Sequence, residues 1–402
     1  LDAAYRKRRT IYCELVRSVS AGFLEAGSGT LFLLIAIRHF SAGPGVKGLL
    51  ASGSSIGNLV SPFLVLLFQA FGFRASRAAS GLILFSSAAL FFAASSNEIF
   101  WFAGGIVLAS AAFGSTVPFL AQVYQENYPK HERGRILSKV ASLRILIAVF
   151  AALGGGWLLQ GKPENFPICL NVIGILMVFS AAAMLLCPAD AAIKLKRREL
   201  LVGVHALRTQ KTFQVSILGW MLVGLGSFLI LPLRTEYLSN SRYGVNLSEF
   251  EVAALVIGVP NVGKFLLYPF WGKLFDKKHF STVRVIANFT SLFSILTFFT
   301  SDSLVGLILG SFMQGVAMAG GEITWTLWTT RLGEGTKVAS LTGVHTFFTG
   351  VRGVIGPQLG FHLAESSSPM VVALVGGSLI LSSVAVFIIE GKMEAEMMIE
   401  PN

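Results

Sequence analysis

The sequence predicts an all-α membrane protein of twelve transmembrane helices, arranged as two related six-helix bundles. Three observations predict it. Of the 402 residues, 53% are hydrophobic and only 13% are charged, where a soluble domain carries about 25% charge. Apolar segments of ~20 residues, the length that crosses a bilayer core, recur along the whole chain. Lysine and arginine, finally, concentrate on alternate connections, as the positive-inside rule requires. Forty-two glycines fit the same class, because small residues let membrane helices approach closely.

Taken in order, the spans read at about 11–38, 46–70, 78–96, 98–123, 136–160 and 166–188, then at about 212–236, 249–271, 281–300, 303–330, 337–363 and 368–390. The basic start Tyr5-Arg6-Lys7-Arg8-Arg9 runs into the first segment without a small-residue cleavage site, so that segment reads as a spanning helix and not a cleaved leader. Connections are short except 189–211, which holds Lys194, Lys196, Arg197, Arg198, Arg208 and Lys211. Its apolar residues suit a helix lying at the membrane surface. The expected organisation is therefore a bundle over 1–188, a basic linker over 189–211 and a second bundle over 212–402.

With the N-terminus in the cytoplasm, 22 of the 32 Lys and Arg residues fall on that side, among them Arg284 at the start of the ninth span. Only Arg38, Lys47, Lys162 and Arg242 fall on the other side. Both termini are expected in the cytoplasm, across an inner (plasma) membrane. The net charge of +11 reflects this sorting and calls for no nucleic-acid partner. Cys13, Cys169 and Cys187 show neither CxxC nor metal spacing and read as packing residues. No metal and no cofactor are expected.

An internal repeat supports the two halves. At a constant offset of 207, Ser61-Pro62-Phe63-Leu64-Val65-Leu66-Leu67-Phe68-Gln69 matches Tyr268-Pro269-Phe270-Trp271-Gly272-Lys273-Leu274-Phe275-Asp276 at Pro, Phe, Leu and Phe; Phe73 matches Phe280 and Arg77 matches Arg284. Lys139-Val140-Ala141-Ser142-Leu143 is echoed by Lys337-Val338-Ala339-Ser340-Leu341. Halves related in this way imply a pseudo-two-fold axis along the membrane normal.

Gly272-Lys273-Leu274-Phe275-Asp276-Lys277-Lys278 resembles the loop signature of the major facilitator superfamily, a Gly, three residues, then Asp and a basic residue. The first-half copy is degenerate, with Val65 for the Gly and Gln69 for the Asp. The Gly/Pro-rich stretch Gly350–Gly360 is similar to helix 11 of many members. The resemblance implies the major facilitator fold and secondary transport by alternating access, with helices 1 and 10 lining a central cavity. It also implies a gating role for Gly272, Asp276 and Lys277; the bland alternative is a solvated turn.

Charges within spans carry the remaining functional argument, since each costs ~3 kcal/mol at a helix centre on translocon scales. Glu25, Glu322 and His345 are candidates for proton coupling. Against that stand a permanent ion pair, such as Glu25 with Arg144, and a packing role for His345. The same resemblance implies that helices 5 and 8 meet between the halves, as do helices 2 and 11, so Arg144, Lys264 and Arg352 are expected to converge on one cavity as solute ligands, the competing reading being structural ion pairing. Asn58, Gln122, Asn261 and Gln314 are their polar companions. Trp325 is a candidate solute contact, although with Trp328 it also reads as an interfacial anchor. The excess of in-span basic residues favours an anionic or zwitterionic solute. The chain has no GxxxxGK[ST], HExxH or GxSxG motif, so it is expected to be a gradient-driven transporter and no enzyme. Its expected partners are a small solute, protons and the lipid bilayer, and it is expected to act as a monomer. The weighed alternatives are an exporter of drugs or other amphiphiles, a lipid translocator and a membrane sensor without flux.

Overall fold

The computed structural model describes residues 2–129, 131–189, 204–332 and 336–399. Most of the predicted linker, with Lys194, Lys196, Arg197 and Arg198, lies outside the described residues, as does Lys130. Among the described residues the long elements are all helices. In chain order they are α1 (Ala3–Arg38), α2 (Pro44–Ala70), α3 (Ala75–Ala94), α4 (Ile99–Asn127), α5 (Arg133–Leu159), α6 (Phe166–Leu185), α7 (Lys211–Ser239), α8 (Glu249–Lys277), α9 (Phe280–Phe299), α10 (Leu304–Leu327), α11 (Thr336–Ser366) and α12 (Pro369–Ile399).

Among the described residues, eleven helices are both long and apolar enough to cross a bilayer. The exception, α11, has the length at 31 residues. Its middle carries His345 and Arg352 among Gly, Ser and Thr, so its composition is that of a helix facing polar company. Large apolar side chains such as Phe63, Phe100, Trp157 and Val305 point outward, as they must where the solvent is lipid.

Local sequence explains the irregularities. Gly27–Leu31 forms a wide π turn within α1, where two glycines weaken the regular ladder. A second wide turn, Ala254–Gly258, lies within α8, and a Cβ on Gly29 would collide with Ile257. Pro118 and Pro232 fall where α4 and α7 break. Pro62 and Pro269, partners in the repeat, sit inside α2 and α8.

Two compact units result. The first comprises Leu1–Leu195 with Thr235–Ile257, the second Lys196–Arg234 with Gly258–Asn402. This differs from a boundary in the linker alone. The end of α7 and the start of α8 join the first unit because polar bonds tie them there: Lys47 pairs with Glu236 at 2.8 Å, the Arg38 guanidinium donates to the Leu247 carbonyl at 2.8 Å, and the Thr30 and Thr235 hydroxyls meet at 3.1 Å.

Each unit repeats one packing scheme. In the first, α1 packs on α5 and α6, α2 on α4, and α3 on α4 and α6; in the second, α7 packs on α11 and α12, α8 on α10, and α9 on α10 and α12. Glycines make the tight crossings. Gly57 of α2 abuts the Ala111 carbonyl of α4, and Gly315 of α10 abuts the Pro260 carbonyl of α8. A backbone atom cannot turn aside, so Gly315→Val is expected to cost at least the ~3 kcal/mol upper range of ordinary overpacking. Gly104→Val, where nothing lies within 4 Å, is the control. Thermal unfolding in detergent checks this, and equal midpoints for the two variants would refute the crossing argument.

Candidate functional site

Within the second unit, α7 to α11 surround a cavity of about 420 Å³. Its charged lining residues are Lys264 from α8, Arg284 from α9, Glu322 from α10 and Arg352 from α11. Three cations thus face one carboxylate.

Lys264 and Glu322 satisfy each other at 2.8 Å, with the lysine buried and the glutamate side chain 39% exposed. The arginines differ. Arg284 is 6% and Arg352 4% exposed, and neither forms a salt bridge among the described residues. Both are fixed on Trp220. The Arg284 guanidinium lies over its ring, 4.3 Å from the centroid, and Nη1 donates to the Thr324 hydroxyl at 3.1 Å. Arg352 donates to the Trp220 carbonyl and, at 2.9 Å, to the Thr349 hydroxyl. The bare Cα of Gly224 makes this possible, because a Cβ there would overlap the Arg352 guanidinium.

Polar atoms around the arginines remain under-bonded. The Nε of Arg284, the Nε of Arg352 and the indole nitrogen of Trp220 are buried donors with no acceptor among the described residues. Such groups are rare in folded proteins and call for a functional account. The Asn288 side chain donates to Ser383 at 2.8 Å while its oxygen has no partner among the described residues. Gln314 accepts from Ser294 at 3.2 Å and lines the same hollow. Trp325 also lines it, with its indole nitrogen 3.5 Å from the Thr349 hydroxyl.

Below this wall lies an aromatic floor. His345 sits among the rings of Trp220, Trp325 and Trp328, with centroids 5.0 to 5.4 Å away. It is 1% exposed, lines no part of the cavity, and has no hydrogen bond to either ring nitrogen among the described residues. Its place is that of a packing ring. Trp328 is likewise buried, stacked on Phe213, which corrects its reading as an interfacial anchor.

The structure thus brings together Lys264, Gln314, Glu322, Trp325 and Arg352 from the sequence-derived set. Asn261 is buried on α8 but lines no part of the hollow. Arg144 belongs to the first unit, where it meets Glu25 at 3.2 Å with each side chain about one-third exposed (36% and 33%). Asn58 is half-buried on α2, and Gln122 donates to Glu126 at 2.9 Å. Asp276 and Lys277 are exposed at the end of α8 with no salt bridge among the described residues, and Gly272 has open space around its Cα.

Several charged residues escaped the sequence reading, Arg284 and Glu14 among them. Arg284, counted as a cytoplasmic boundary charge, instead lies inside the cavity wall. Glu14, fully buried in α1, takes a fork of bonds from Arg17 at 2.7 to 3.1 Å and another at 2.7 Å from the Tyr124 hydroxyl. The spacing Glu14-x-x-Arg17 was the available signal, since residues three apart share a helix face.

No protein-family model matches the chain. It is 24% identical over 358 residues to YuxJ of Bacillus subtilis (strain 168), an uncharacterized MFS-type transporter, which covers 87% of this chain and 84% of the relative. Among solved structures, the nucleoside transporter NupG superposes with a TM-score of 0.73 at 14% identity, covering 96% of this chain and 99% of that one. A bacterial homolog of the human lysosomal transporter Spinster, inward-facing and occupied, gives 0.71 at 15%, covering 96% and 97%. A D-xylose-proton symporter gives 0.69 at 14%, covering 94% and 96%. At these identities the structures show a shared fold, the one that the loop at Gly272–Lys278 led us to expect.

Proposed function

We propose that this chain, a member of the major facilitator superfamily, is a secondary transporter that moves a small anionic solute by alternating access, with the anion held in the cavity of the second unit. The observation that carries this reading is the pair Arg284 and Arg352: two buried guanidinium groups on one cavity wall, neither neutralised by a carboxylate among the described residues. In a membrane helix such a charge costs several kcal/mol, a cost that selection tolerates where a ligand repays it. Arginine suits the task, because its planar fork grips a carboxylate or phosphate through two parallel bonds. A cavity for cationic drugs needs the opposite balance of charge.

The energy source is a gradient. Glu322 is the coupling residue of this proposal: it lines the cavity, remains reachable by water and is held by Lys264. Breaking and re-forming that pair between solute-loaded states is the step at which its carboxylate takes up and releases a proton. In the first unit Glu25, paired with Arg144, offers a second such carboxylate. Both termini lie in the cytoplasm, supported by a charge asymmetry that stays one-sided after Arg284 is removed from it.

Proteoliposomes test the reading. Preloaded organic anions are expected to drive uptake of labelled anion, and an imposed proton gradient to accelerate it. Flux of cationic dyes without any anion flux would overturn the proposal. Glu322→Gln is expected to cut gradient-driven uptake at least tenfold while sparing anion exchange; undiminished driven uptake removes Glu322 from coupling.

A further inference from the structure

We infer that the solute of this cavity is an amphipathic dianion, a compact doubly charged head of the phosphate-monoester type on an apolar body at least the size of a phenyl ring. This rests on the anion reading above and narrows it. Four observations carry it.

Charge comes first. Lys264 is already matched by Glu322 at 2.8 Å, so the two arginines leave two positive charges uncompensated among the described residues. A monoanion cancels one of them; a dianion closes the balance.

Geometry makes the head compact. Arg284 lies over the Trp220 ring and Arg352 bonds the Trp220 carbonyl, so both guanidinium groups are gathered at one residue. Two carboxylates at opposite ends of a chain would need cations held apart.

Donors outnumber acceptors at the same place. Arg284 Nε, Arg352 Nε and Trp220 Nε1 all lack an acceptor among the described residues. A head with three strong acceptor oxygens, such as a phosphate monoester, answers that surplus better than a carboxylate does.

The rest of the wall decides the body. Val223, Phe228, Ala317, Met318 and Trp325 face the same hollow, and apolar wall of this kind is what orients organic ligands. The hollow measures about 420 Å³. Inorganic phosphate fills only roughly 100 Å³ of it, judged from ~30 Å³ per water, and would leave the apolar wall without contact.

Binding titrations on the full-length protein in detergent, read by tryptophan fluorescence, compare four probes: phenyl phosphate, inorganic phosphate, benzoate and benzyl alcohol. Phenyl phosphate is expected to bind at least tenfold tighter than either benzoate or inorganic phosphate, with no saturable binding of benzyl alcohol. Benzoate equal to phenyl phosphate would overturn the doubly charged head. Inorganic phosphate equal to phenyl phosphate would overturn the apolar body. If no anion binds, the anionic-solute proposal falls with it; if anions bind without this order, only the present inference falls. The wild-type order decides the matter even where variants fold poorly. Where they fold, Gly224→Ala, which pushes the Arg352 guanidinium aside, is expected to erase the preference for phenyl phosphate over benzoate. A retained preference counts against Arg352 as the ligand of the head.

Discussion

Replacing Arg352 by glutamine is expected to abolish anion-dependent stabilisation while raising the thermal midpoint of the empty protein. The two effects have one cause. Arg352 is 4% exposed and unpaired with any carboxylate among the described residues; its guanidinium rests on the Trp220 carbonyl and the Thr349 hydroxyl. Glutamine retains a donor for one of these acceptors and removes the buried charge. Without solute the variant therefore gains. With solute it loses one side of a desolvated, hydrogen-bonded charge pair, a change that costs about 2–5 kcal/mol. At about 1.4 kcal/mol per decade, that corresponds to a loss of roughly thirty- to several-thousandfold in affinity. Thermal unfolding in detergent with and without an organic anion measures both. Wild-type affinity in the variant removes Arg352 from the binding site, and a lowered midpoint without ligand makes its role structural.

The second large effect lies in the first unit and concerns stability alone. Glu14 is fully buried, and Arg17 binds it through two nitrogens while Tyr124 donates to the same carboxylate. Breaking a buried pair strands the surviving charge and costs about 3–5 kcal/mol, whereas replacing both partners by apolar residues is often near neutral. Glu14→Gln and Arg17→Gln are each expected to lose about 3 kcal/mol or more. The double variant Glu14→Leu with Arg17→Met is expected to lose less than either. Unfolding curves of the three variants check this; losses that simply add would show that the two residues act independently.

The two arginines at the repeat offset show where sequence reasoning stops. Arg77 and Arg284 occupy matched positions in α3 and α9, and the sorting of positive charge placed both at the cytoplasmic boundary. In the structure Arg77 is exposed, whereas Arg284 turns inward over Trp220. A long basic side chain near a helix end can run toward the headgroups or into the bundle, and its own helix does not choose. The choice falls to Trp220, more than sixty residues away, which offers a ring face. Glu14 teaches the same lesson. It stood in plain view three residues before Arg17, but nothing local reveals that Tyr124 arrives from α4 to complete the cage.

What the sequence determined by itself is therefore what hydropathy and repetition encode locally: the long helices, their order, the two like sets of six, and the ionisable residues within spans that marked His345 and Arg352. It also supplied Lys264, Gln314, Glu322 and Trp325 as candidates. The tertiary structure alone decided which of these share a hollow. It seated Arg352 and enclosed His345 among three tryptophans, left Asn261 outside, drew Arg284 in and paired Glu25 with Arg144. The physical reason is one of range. Crossing a bilayer is a property of twenty consecutive residues, whereas facing a cavity depends on how each helix is rotated against neighbours distant in the chain.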